Sequence, residues 1–121
     1  MKGFFKKFLY AINGFHFSLR EQVNFRIHLF VALLVVAGGL IFPIRPIEWL
    51  ILLLWIVLVL SAEMINTAIE LLTDKIYPEW NEVAGKIKDI AAGAVLLAAI
   101  GAIISGLIIF LPHILSCFSC G

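Results

Sequence analysis

Ser61-Ala-Glu-Met-Ile-Asn-Thr-Ala-Ile-Glu-Leu-Leu-Thr-Asp74 closes the most apolar segment of the chain with four polar groups at helical spacing. At ~100° per residue, Glu63, Asn66, Glu70 and Asp74 fall within roughly 80° of one another, on one face of one helix. Three carboxylates and an amide thus form a single stripe. Such a stripe is costly in a bilayer unless it meets a cation, a partner charge or water, which makes it a candidate functional site.

The surrounding composition supplies the bilayer. Of 121 residues, 63% are hydrophobic and 14% charged, a balance that excludes an ordinary soluble domain and points to one integral membrane domain, 1–121. The net charge of +1 gives no sign of a nucleic-acid partner. The first long apolar run begins only after Arg26, so the N-terminus does not read as a cleaved secretory signal. Cys117 and Cys120 lie in the last five residues, where they cannot staple a core; with only His113 nearby they lack the fourth ligand of a zinc site.

The expected architecture is all-α. Phe4, Phe5, Phe8, Ile12, Phe15 and Leu19 cluster on one helical face, with Lys2, Lys6, Asn13 and Arg20 on the other, predicting an amphipathic surface helix over 4–20. A soluble-type core helix is the alternative. Glu21, Asn24, Arg26 and His28 read as a polar hinge, and His16 and His28 as isolated interfacial residues. Three transmembrane helices are expected at about 27–42, 47–72 and 90–111, followed by a tail over 112–121 without structural signal. Pro43 and Pro46 end the first span. Between the second and third, Tyr77 and Trp80 suit the head-group layer and Pro78 marks a turn. Glu82, Lys86 and Asp89 share a face, so a helix continuing from there into the third span is expected. Gly101 with Ser105, and Ala102 with Gly106, are small-residue pairs that admit close helix packing.

Lys and Arg set the orientation. Five precede the first span, one lies in the first loop, three lie in the second and none follows the third span. The N-terminus is therefore expected in the cytoplasm, the C-terminus outside, and the stripe open to the cytoplasm. Clustered carboxylate and amide oxygens suit magnesium, which pairs one or two carboxylates with waters and substrate phosphates; Glu70 with Glu21 fits that role. Lys88 would present a point charge to phosphate oxygens, and a shielded carboxylate could accept a hydroxyl proton. These parts describe phosphoryl transfer without a Walker-type glycine loop or a protein-kinase signature. The rival readings are a non-enzymatic proton- or cation-conducting oligomer, and an assembly subunit in which Glu63 pairs with Lys88 or Arg26 as structural glue.

Glu63-Met-Ile-Asn-Thr-Ala-Ile-Glu70 followed by Asp74, and then Ala84-Gly-Lys-Ile-Lys-Asp-Ile-Ala-Ala-Gly-Ala-Val-Leu96, resemble the small prokaryotic diacylglycerol kinase family, which includes undecaprenol kinases. The resemblance covers roughly Phe4 to Leu111. It implies a homotrimer of three-span subunits in the bacterial inner membrane, using ATP and Mg2+ to phosphorylate a lipid alcohol that enters from the bilayer. By the same resemblance Glu63 is the general base at the lipid hydroxyl and Glu70 with Glu21 the metal pair. Asn66, Asp74, Glu82, Lys88 and Asp89 match positions around the nucleotide and the reacting phosphate, with Asn66 on the substrate side. Asn24-Phe-Arg-Ile-His28 and Gly106-Leu-Ile-Ile-Phe-Leu-Pro112 look more like the undecaprenol kinase branch than the diacylglycerol branch.

Overall fold

The computed structural model describes residues 2–119, and Cys120 of the C-terminal pair lies outside them. Four helices follow in order: α1 (Lys2–Glu21), α2 (Val23–Ile41), α3 (Pro46–Ile76) and α4 (Glu82–Ser119). The last three are each long and apolar enough to cross a membrane.

Local chemistry fixes the breaks. Between α1 and α2 only Gln22 leaves the helical region, at φ −109° and ψ 108°. Its N–H donates to the Ser18 carbonyl and its own carbonyl accepts from Arg26 N–H, so the two helices are almost continuous. The expected polar hinge over 21–28 is thus one residue wide, and Asn24, Arg26 and His28 belong to the first two turns of α2. Phe42 and Arg45, each preceding a proline, are extended because the proline ring disfavours helical geometry in the residue before it. Pro46 then opens α3 at a position where its missing N–H costs nothing, and the Glu48 carboxylate accepts from Arg45 N–H at 3.0 Å. Asn81 caps α4: its Oδ1 accepts from Val83 N–H at 2.9 Å and from Ala84 N–H at 3.1 Å.

Two helices run further than the expected spans. At 1.5 Å per residue the 31 residues of α3 reach about 46 Å, past an apolar layer of about 30 Å, so its last turns carry the polar stripe out of the hydrocarbon. α4 passes through Pro112 to Ser119, where the sequence reads as a featureless tail. A proline removes one backbone hydrogen bond and is tolerated within membrane helices, so Pro112 does not end α4.

α3 is the hub, packed most extensively on α4 and next on α2. Phe15 of α1 meets Phe25 of α2 edge to face, with centroids 5.4 Å apart, and Phe25 is fully buried. Gly101 of α4 lies so close to the Trp55 indole of α3 that a Cβ there would overlap the ring. The small residues of α4 therefore seat an aromatic side chain at Gly101, whereas Gly106 has open space around it. Large apolar side chains on the outer surfaces, Leu33, Leu53, Leu97 and Ile108 among them, are exposed.

Candidate functional site

The stripe on α3 grades from buried to exposed. Glu63 is 3% exposed and Asn66 6%, Glu70 is half-buried and Asp74 is exposed. The hydroxyls between them are satisfied inside the helix, Thr67 donating to the Glu63 carbonyl at 3.0 Å and Thr73 to the Ile69 carbonyl at 2.6 Å. They leave the carboxylates free for other partners.

Asn66 Nδ2 donates to Glu70 Oε1 at 3.2 Å. That bond turns the amide oxygen the other way, where Asn66 Oδ1 is buried with no hydrogen-bond partner among the described residues. An unsatisfied buried acceptor costs about 1–3 kcal/mol, a cost that a donor or cation would remove. Glu63 faces His28 of α2, with Nε2 3.5 Å from Oε2. At the exposed end Lys88 of α4 forms an ion pair with Asp74. The stripe is thus tied to α2 at its buried end and to α4 at its wet end.

The remaining candidates are looser. Glu82 pairs with Lys86 one turn on, at 3.7 Å with both side chains more than two-thirds exposed, a pair that contributes little to stability. Glu21 is the last residue of α1 and is exposed; no side-chain hydrogen bond or ion pair joins it to Glu70 or any other described residue. Asp89 is exposed on α4 beside Lys88 and has no such partner either. The structure therefore joins Asn66 to Glu70 and Asp74 to Lys88, and it leaves Glu21, Glu82 and Asp89 separate from both pairs.

The pairing of Glu63 with Lys88 or Arg26 is not what forms. Lys88 goes to Asp74, and Arg26 donates to the Arg20 carbonyl at 3.4 Å. His28 takes the position instead. It is separated from Glu63 by 35 positions and lies on another helix, so no periodicity links the two; the one signal was an ionisable group inside the first turns of a span.

Among the described residues no group of three or more His, Cys, Asp and Glu side chains could hold a metal ion. Magnesium does not need one, since it keeps several waters and phosphate oxygens beside one or two carboxylates. Glu70 and the orphaned Asn66 Oδ1 are hard oxygen donors of the kind it takes, so the residues present fit it. Next to this end of the bundle a cavity of about 250 Å3 opens between α2, α3 and α4. Its lining, including Val31, Val59, Ala102 and Ile103, is apolar apart from the His28 ring and the Trp55 indole.

Comparison with known proteins covers most of the chain. The profile of the family described as prokaryotic diacylglycerol kinase matches residues 9–110. The chain is 40% identical over 111 residues to an undecaprenol kinase of Bacillus subtilis (strain 168), covering 92% of this chain and 90% of that protein. It is 40% identical over 110 residues to a diacylglycerol kinase of Synechocystis sp., covering 90% of this chain and 63% of the other. To the diacylglycerol kinase of Escherichia coli (strain K12) it is 31% identical over 104 residues, 86% and 85% of the two chains.

Proposed function

The chain belongs to the prokaryotic diacylglycerol kinase family, and from that premise we propose that it phosphorylates a long-chain membrane alcohol, undecaprenol in preference to diacylglycerol. It is a membrane-embedded lipid kinase, an ATP-dependent phosphotransferase with an alcohol acceptor. The observation that carries the site assignment is the stripe itself: a carboxylate 3% exposed at Glu63, followed along one helix face by Asn66, Glu70 and Asp74 in increasing contact with solvent. A lipid hydroxyl approaches the buried end and a water-soluble nucleotide the exposed end.

Glu63 takes the proton from the lipid hydroxyl as its oxygen attacks the γ-phosphate in line. The Asn66 amide, held by Glu70, positions the substrate oxygens beside it. Glu70, with Glu21 brought to it from the end of α1, would hold Mg2+, which would supply charge neutralisation at the phosphate oxygens. Lys88, kept near the stripe by Asp74, adds a fixed positive charge, and Glu82 and Asp89 complete the surroundings of the nucleotide. Positioning and charge neutralisation supply most of the rate, because the transition state asks for little covalent help from the protein.

Three features support the wider assembly. The first turns of the apolar face of α1 are uncovered by the rest of the chain, with Phe4 72% and Phe8 58% exposed, in keeping with a helix lying in the membrane surface. Eight of nine Lys and Arg residues on one side favour a cytoplasmic N-terminus in a bacterial inner membrane, with the C-terminus outside. Three thin spans enclose a site poorly, which favours a homotrimer. Undecaprenol is favoured on the segments Asn24-Phe-Arg-Ile-His28 and Gly106-Leu-Ile-Ile-Phe-Leu-Pro112, since an undecaprenol kinase and a diacylglycerol kinase are each 40% identical to the chain.

The test is phosphate transfer from labelled magnesium-ATP in mixed micelles, with undecaprenol and diacylglycerol offered side by side. Preferential labelling of undecaprenol is expected. Preferential labelling of diacylglycerol overturns the substrate assignment, and labelling of neither in folded protein overturns the kinase.

A further inference from the structure

Resting on the reading of Glu63 as the base, we infer that His28 is the exit for the proton that Glu63 removes, a relay and positioning residue contributed by α2 to a base on α3. The base is nearly sealed: the Glu63 side chain is 4% exposed, whereas that of His28 is 26% exposed. Nε2 of His28 lies 3.5 Å from Glu63 Oε2, a separation that a small rotamer adjustment converts to a hydrogen bond. Glu63 has no side-chain hydrogen bond to any other described residue.

The surroundings of the imidazole are consistent with that task. Among the described residues Glu63 is the one charged side chain within ion-pair distance of His28. The nearby Arg26 guanidinium turns to the Arg20 carbonyl, and Lys88 is taken up by Asp74. His28 sits in the second turn of α2, next to the polar break at Gln22, while the other wall of its cavity is apolar.

The step balances simply. The lipid O–H bond breaks as the new O–P bond forms and the bond from the γ-phosphorus to ADP breaks; the proton passes to the Glu63 carboxylate. Glu63 then transfers it to Nε2 of His28 in its Nδ1–H tautomer, the imidazolium releases the Nδ1 proton to water, and a flip of the ring brings its unprotonated nitrogen back to Glu63. Glu63 is left ionised for the next turnover. Among the described residues no other titratable side chain lies within ion-pair distance of Glu63 to take that proton.

The experiment uses the full-length protein in mixed micelles, first confirming lipid phosphorylation by the unaltered chain; absence of transfer there refutes the kinase reading itself. His28→Ala is then expected to lower kcat about 10-fold or more, with the KM for ATP unchanged, since proton transfer by a positioned group contributes large factors of this kind. Imidazole added to His28→Ala should restore turnover, because removing the ring opens space continuous with the adjoining cavity. His28→Gln preserves most of the volume and a hydrogen-bonding group but cannot carry the proton, so it should lose turnover while keeping thermal protection by magnesium-ATP. Full turnover in either variant, or loss in His28→Ala without recovery in imidazole, overturns the relay.

Discussion

Asn66 donates through Nδ2 to Glu70 Oε1 at 3.2 Å, and the same bond leaves Asn66 Oδ1 buried without a partner. One residue is thereby both the brace of the proposed metal carboxylate and a buried acceptor open to a donor or a cation.

Glu70→Gln should keep the brace in altered form but remove the charge that magnesium requires. Turnover should fall by about 100-fold or more, a scale typical of losing a charge-stabilising group. Magnesium-dependent thermal protection by ATP should weaken in parallel, because a ligand stabilises the native state only in proportion to its binding. Unchanged protection with unchanged turnover would remove Glu70 from the metal site.

Lys88→Met separates catalysis from stability. The Lys88–Asp74 pair is substantially exposed, at 39% and 60% for the two side chains, so breaking it should cost no more than about 1 kcal/mol. Thermal unfolding in detergent should therefore barely move while phosphate transfer collapses. A large loss of stability with modest loss of turnover would make Lys88 a tie between α3 and α4 and not a nucleotide-binding group.

Gly101→Ala should destabilise the fold by about 1–3 kcal/mol, because the added methyl would overlap the Trp55 indole in a closely packed contact. Gly106→Ala, where nothing lies within 4 Å of the added Cβ, should be neutral or stabilising. Thermal unfolding of the two variants side by side checks the α3–α4 contact directly.

Asn81→Ala should cost about 0.5–2 kcal/mol by stripping the cap from two N–H groups of α4. Because the freed first turns lead to Lys88 and Asp89, the KM for ATP should rise more than kcat falls.

What the sequence disclosed follows from the range of each interaction. The stripe from Glu63 to Asp74 lies within one helix, where spacing alone fixes the face, and the three apolar helices follow from length and composition. The Glu63–His28 contact depends on how α2 lies across α3, which periodicity within either helix does not determine. Residues 112–121 carry no structural signal in the sequence, yet α4 runs on through Pro112, because within an apolar helix the loss of one hydrogen bond does not outweigh continued pairing on either side. The break at Gln22 is narrower than the run of polar residues around it, since Asn24 and Arg26 are exposed and His28 turns to Glu63, all from a continuing helix whose backbone they do not disturb.

The central claim, that the buried end of the stripe carries the base of a lipid kinase, is tested most directly by Glu63→Gln. Phosphate transfer to lipid from labelled magnesium-ATP is measured beside thermal protection of the same protein by magnesium-ATP. The account expects protection to be retained and transfer to fall by about 100-fold or more, as for loss of a positioned general base. A Glu63→Gln protein that transfers phosphate at the unaltered rate would contradict it.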